Sequence, residues 1–275
     1  MAKSPAALLF SLLLLFWALW VANAYIAIPI SWLPVANVVV TVLFVALPIV
    51  VIAAAARLNW PPLLSIATIA VCLAGVVLLR GGGPVLDGVV QIARFGWPAA
   101  LGFLISGLIK DKNLLLPIAI VLATVDILAV FAPAGTVQQG LENPTIRPIF
   151  DMMAYQVPEA GTARPLAQMG PADPLFIAMF LYAVRKFKMR FKQTILWMIP
   201  ALAAYLWIVL AYGDRTLWGF SLGMLPALVP IGIVVAVVNA REFKMSKQET
   251  MMTLGVATFC AGLIFMLFTV WRVDG

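Results

Sequence analysis

The chain has 275 residues, 64% of them hydrophobic and 11% charged, whereas a globular domain runs about 45–50% apolar and about 25% charged; an ordinary water-soluble fold is thereby excluded and a polytopic membrane protein implied. Lys and Arg number 18 against 11 Asp and Glu, for a net charge of +7, and because the cations cluster in short connections between apolar stretches, they speak for orientation in a bilayer rather than for nucleic-acid binding. The chain has no histidine, which excludes serine–histidine and cysteine–histidine catalysis, HExxH metalloprotease chemistry and imidazole proton relays.

Crossing the hydrocarbon takes about 20 apolar residues. Nine stretches meet or approach that length, at 6–28, 33–56, 62–79, 94–109, 113–133, 170–187, 194–212, 217–239 and 251–271, and they predict an all-α polytopic membrane protein of about nine transmembrane helices. The first has two readings. MAK, an apolar run and the triplet Ala22-Asn23-Ala24 have the pattern of a cleavable signal peptide, while the length of the run favours an uncleaved first helix. Cys72 and Cys260 fall in separate apolar stretches and read as small buried hydrophobes, not as a disulfide or metal pair.

The cations set an orientation. If the N-terminus is cytoplasmic, twelve fall on the inner side (Lys3, Arg57, Lys110, Lys112, Arg185, Lys186, Lys188, Arg190, Lys192, Arg241, Lys244 and Lys247) and six on the outer (Arg80, Arg94, Arg147, Arg164, Arg215 and Arg272). The run RKFKMRFK supplies five of the twelve and dominates the assignment. The longest polar connection, residues 134–169, then faces outward and is expected to be functional or disordered.

Nine of the eleven acids (Asp87, Asp111, Glu142, Asp151, Glu159, Asp214, Glu242, Glu249 and Asp274) fall in predicted loops or tails. The remaining two do not. Asp126, in LATVDILAVF, lies well inside its predicted helix, about 10 Å before Pro133 at the α-helical rise. Asp173, in GPADPLFIAMF, lies three residues after Gly170 near the start of the next one. A carboxylate at such a depth costs several kcal/mol and marks a functional site by default.

Consecutive spanning helices run antiparallel, so the end of the first acid's helix and the start of the second's fall at one membrane face. Packed side by side, two carboxylates in a low-dielectric site share a proton and their titrations split, the arrangement with which aspartic proteases activate water. Other readings fit the same residues. An intramembrane Asp serves as an ion or proton site in a transporter or as a helix-packing group, and Asp173 followed by Pro174 has the pattern of a helix N-cap.

Val125-Asp126, Gly170-Pro171-Ala172-Asp173 and Pro226-Ala227-Leu228 occur in the order of three motifs, and over about residues 113–240 the chain resembles the presenilin and signal peptide peptidase family of intramembrane aspartyl proteases. That family carries a YD motif, a GxGD motif and a PAL motif at the start of a later helix. PAL is intact here, and helix alternation sets Pro226 at the face of both aspartates. Val125 stands where the family has tyrosine, and Pro171 and Ala172 stiffen the approach to Asp173 where the family has a second glycine.

The resemblance implies a presenilin-like helical bundle divided into N-terminal helices (1–112), a catalytic core (113–240) and a C-terminal helix (241–275). It implies Asp126 and Asp173 as catalytic residues, Gly170, Ala172, Pro226, Ala227 and Leu228 as substrate-binding residues, and no metal or cofactor. Its substrates would be transmembrane-helix proteins or signal peptides, locally unwound, of type II orientation if the loop 134–169 is outside as in signal peptide peptidase. A catalytically silent relative that binds membrane helices fits the altered GPAD sequence. Pro226 and Pro230 lack amide donors, so carbonyls before them are left for an added substrate strand.

Overall fold

The computed structural model describes residues 4–132, 143–213, 215–217, 220–221 and 225–269. Lys3, Glu142, Asp214, Arg272 and Asp274, which the charge assignments used, lie outside the described residues, as does the 134–142 part of the expected outer loop.

The chain is predominantly helical, in the order α1 (Pro5–Tyr25), α2 (Leu33–Ala55), α3 (Pro62–Leu79), α4 (Pro84–Leu108), α5 (Leu115–Phe131), α6 (Arg147–Met153), β1 (Tyr155–Pro158), β2 (Pro165–Met169), α7 (Ala172–Lys186), α8 (Phe191–Tyr212), β3 (Thr216–Leu217), β4 (Phe220–Ser221), α9 (Leu228–Val238) and α10 (Lys247–Thr269). Seven helical segments among the described residues are long and apolar enough to cross a membrane, as expected of a polytopic integral membrane protein. The stretches expected at 170–187 and 217–239 form the shorter helices α7, of 15 residues, and α9, of 11. Two short antiparallel hairpins, β1–β2 and β3–β4, depart from a purely α architecture.

The apolar faces need a partner other than water. Helix α3 buries only Ser65 and Val76 and leaves Leu63, Val71 and Leu78 more than 70% exposed. In water each such side chain would forgo about 2 kcal/mol of burial, whereas hydrocarbon accepts it.

The chain forms two compact units, one of Met1–Leu108 with Asp151–Lys186, the other of Ile109–Phe150 with Phe187–Gly275. This grouping cuts across the expected 113–240 core, since Asp151–Lys186 packs with the N-terminal helices.

In the first unit, Ser4 caps α1 by accepting from the Ala7 amide at 3.2 Å, with Pro5 at the first helical position. The helix buries Phe16 and Trp20, and Phe16 meets Phe44 and Phe95 edge-on at 5.6 and 5.3 Å between ring centres. Tyr155, at the start of β1, completes this cluster and donates its hydroxyl to the Phe44 carbonyl at 2.7 Å.

Helix α4 begins at Pro84, ten residues before the expected 94–109 segment: Gly83, at a φ of 84°, closes the preceding turn, and Pro84 with Asp87 in the first turn favours a helix start. Asp87, expected in a loop, is therefore helical, and Arg94, expected at the edge of a span, lies inside the helix. Arg94 is buried and its Nε donates to the Met152 carbonyl at 3.0 Å.

The described part of the expected loop 134–169 is ordered: it carries α6, with Asp151 inside it, and the β1–β2 hairpin. Amide side chains from apolar helices hold that hairpin. Asn23 of α1 donates to the Glu159 and Thr162 carbonyls at 2.9 and 2.8 Å, Asn37 of α2 accepts from the Ala160 amide at 2.8 Å, and Gln91 of α4 accepts from the Gln156 amide at 3.0 Å. At its tip Gly161 has a φ of 78°, and a Cβ there would stand 2.8 Å from the Ile26 carbonyl oxygen, so glycine is required twice over.

The second unit packs α5, α8, α9 and α10. Gly232 lets α9 lie against Ala119 of α5. Asn239, fully buried, accepts from the Arg190 amide at 3.0 Å and donates to Thr194 Oγ1 at 3.0 Å. At the start of α10, Ser246 and Glu249 form a reciprocal capping box, so Glu249 too is helical, not in a loop.

Candidate functional site

The start of α9 is the point around which the second unit's motif residues gather. A helix leaves its first amides without intrahelical partners, and in an apolar span each unmet amide costs several kcal/mol. Here the Val229 amide reaches back to the Pro226 carbonyl and the Ile231 amide to the Ala227 carbonyl, both at 3.4 Å. Pro230 has no amide hydrogen to satisfy. The Leu228 amide is met by Asp126, whose Oδ2 accepts from it at 2.8 Å across 102 residues of sequence.

Asp126 is half-buried on α5, and the positive end of the α9 dipole favours a negative charge at this place. The residue before it, Val125, is 54% exposed. Successive residues on a helix point about 100° apart, which turns position 125 away from the carboxylate. A hydroxyl enters from elsewhere: Tyr205 of α8 donates to the Pro226 carbonyl at 2.5 Å.

The Pro226 carbonyl lies just before the helix and accepts from both the Val229 amide and the Tyr205 hydroxyl. The carbonyl expected to await a substrate strand is thus engaged within the protein. Tyr205 was not singled out from sequence, although a tyrosine in the apolar run ALAAYLWIVL needs a partner for its hydroxyl.

Gly170 to Asp173 belong to the first unit. Helix α7 starts at Ala172 and holds Asp173 in its first turn, so Asp173 is inside the helix, not its N-cap. Its amide donates to the Gly170 carbonyl at 3.2 Å. Gly170 and Ala172 are exposed and Asp173 is half-buried. A Cβ added at Gly170 would meet nothing within 4 Å, so packing within this unit does not demand glycine there.

What fixes α7 is its other face, where Ile177, Met179, Phe180, Leu181 and Val184 are buried. At Gly102 of α4 the helices come so close that a Cβ would run into the Leu175 carbonyl and crowd the Met179 amide.

The structure therefore brings Asp126 together with Leu228, and Tyr205 with Pro226, in one unit; Gly170, Ala172 and Asp173 form a local turn in the other. Among the described residues no group of three His, Cys, Asp or Glu side chains is placed to hold a metal ion. No protein-family model matches the chain, and neither a curated protein nor a solved structure matches it.

Proposed function

We propose that the chain is an intramembrane aspartyl protease of the presenilin and signal peptide peptidase type. Asp126 and Asp173 are its two carboxylates, and Pro226, Ala227 and Leu228, with Gly170 and Ala172, are its substrate-positioning residues. The observation that carries this reading is the 2.8 Å hydrogen bond from the Leu228 amide to Asp126, because it joins two of the three motifs that the resemblance picks out.

In this reading one carboxylate takes a proton from water while its protonated partner polarises the scissile carbonyl. The substrate is a transmembrane helix or signal peptide that unwinds locally to expose a peptide bond. The bundle has nine membrane segments, α7 and α9 being the two short ones, with a cytoplasmic N-terminus and residues 134–169 outside.

The same hydrogen bond favours a second reading. A carboxylate that meets a helix-start amide satisfies a packing need whether or not chemistry follows, as it would in a silent relative that only binds membrane helices.

Cleavage of a reconstituted transmembrane peptide separates the two. The wild type is expected to cut it, and Asp126→Asn and Asp173→Asn each to lose about a hundredfold or more, the scale of general acid–base catalysis. Undiminished cleavage in either variant would remove that residue from the chemistry. Failure of the folded wild type to cut a panel of such peptides would leave the silent reading, or, if solute uptake proves proton-coupled, a transporter built on Asp126.

A further inference from the structure

In the first unit the turn after α2 and the C-terminal end of α7 line a cavity of about 350 Å³. Its lining includes Arg57, Leu58, Asn59, Tyr182, Arg185 and Lys186, so three cations, a carboxamide and a phenol face it, and no Asp or Glu is among its lining residues. The charges are tied to helix ends: Arg185 Nη1 donates to the Ala56 carbonyl, and Lys186 Nζ donates to the Gly107 carbonyl at 3.2 Å and to the Ser106 carbonyl at 3.4 Å. Cations at helix C-termini are favoured by the dipole, and these bonds hold the head groups at the cavity.

Tyr182, on the cavity lining, begins a row of rings: Phe103 meets it at 5.5 Å between ring centres, Trp60 lies tilted against Phe103 at 4.8 Å, and the Trp60 indole nitrogen donates to the Ala55 carbonyl at 2.8 Å. Basic side chains and amphipathic rings at the ends of apolar helices mark the head-group level of a bilayer. A basic pocket between helices at that level is the chemistry that takes a lipid phosphate, and a guanidinium fork suits it because its donors match two phosphate oxygens at once.

We infer that this cavity binds a phosphate ester at the membrane surface, namely the head group of an anionic phospholipid such as phosphatidylglycerol. A free phosphate is the other source of the same chemistry. Access favours the lipid: the cavity is open to the outside of the protein, so a head group that still carries its acyl chains can reach the cations. The site is independent of proteolysis, and nothing in the assignment of Asp126 or Asp173 bears on it.

The test uses the full chain purified in detergent, with retained lipid read by native mass spectrometry after addition of phosphatidylglycerol or phosphatidylcholine. The wild type is expected to retain phosphatidylglycerol preferentially. Arg57→Gln should weaken this about fivefold and Arg57→Gln with Lys186→Gln about 25-fold, at the usual contribution of one interfacial cation, while Arg57→Lys, which keeps the charge and loses the fork, should fall between the wild type and Arg57→Gln. Both positions are exposed, but Lys186→Gln gives up the bonds to the Ser106 and Gly107 carbonyls, so melting without added lipid is measured for each variant, and should the double variant not fold, Arg57→Gln alone decides.

Competition by millimolar inorganic phosphate would assign the cavity to a free anion, and indifference to it would assign the cavity to the lipid. Equal retention of the two lipids without phosphate binding, or undiminished phosphatidylglycerol retention in folded Arg57→Gln, overturns the proposal.

Discussion

The neighbourhoods of Asp126 and Asp173 are held by different means. In the second unit a polar contact does the positioning: the carboxylate on α5 meets the Leu228 amide, and the Tyr205 hydroxyl meets the Pro226 carbonyl, so the start of α9 is fixed by groups from two other helices. In the first unit shape positions the acid, since α7 is seated by buried Ile177, Phe180 and Leu181 and by the close approach at Gly102, while the acid itself sits half-buried in the first turn. An acid that is part of the scaffold and one that is carried by it should respond differently to substitution. Each can be tested by breaking the means that holds it.

The largest effect is expected at Gly102. Gly102→Leu forces side-chain atoms into the Leu175 carbonyl of α7, and because backbone on both sides leaves little room to relax, the cost should be about 3 kcal/mol or more, the upper range of overpacking. The purified variant should melt well below the wild type or fail to fold. A melting temperature within a degree or two of wild type would mean that the seat of α7 is soft and that shape does not position Asp173.

Next comes Asp126. Asp126→Leu removes the acceptor and leaves the Leu228 amide unmet, for about 1–3 kcal/mol, whereas Asp126→Asn keeps a carbonyl oxygen at the same reach and should cost less than about 1 kcal/mol. Thermal unfolding of the two variants checks the difference. Equal losses in both would point to the charge rather than the hydrogen bond as what α9 needs.

The three runs that resemble motifs could be picked out because they are side-chain patterns, but the contact between Asp126 and Leu228 could not, because the partner of Asp126 is a backbone amide with no mark in the sequence. Tyr205 was half-legible, because a tyrosine in an apolar run needs a partner for its hydroxyl. Counting apolar residues found the long helices, yet it misjudged α4: Arg94 looked like the edge of a span, whereas the Met152 carbonyl receives it inside the helix. It also counted 170–187 as a span, where the helix is 15 residues long and buried over most of its turns. The triplet Ala22-Asn23-Ala24, which has the look of a cleavage signal, gives the fold an amide that grips the Glu159 and Thr162 carbonyls. Asn23, Asn37 and Gln91 show the common cause. A polar side chain in an apolar run announces that it has a partner, but only the fold says which one.

The smallest effect on stability is expected at Asp173. An acid in the first turn of a helix contributes about 0.3–1 kcal/mol through the dipole, and Asp173→Asn keeps the size and most of the hydrogen-bonding capacity of the side chain, so its melting temperature should stay close to wild type. If the proposed chemistry holds, the same variant loses cleavage almost entirely, giving a folded but inactive protein. Asp126→Leu, by contrast, should be both inactive and less stable. Measuring melting and peptide cleavage on one preparation of each variant exposes the contrast. A loss of stability in Asp173→Asn as large as that in Asp126→Leu would show that the second acid is as much a part of the scaffold as the first.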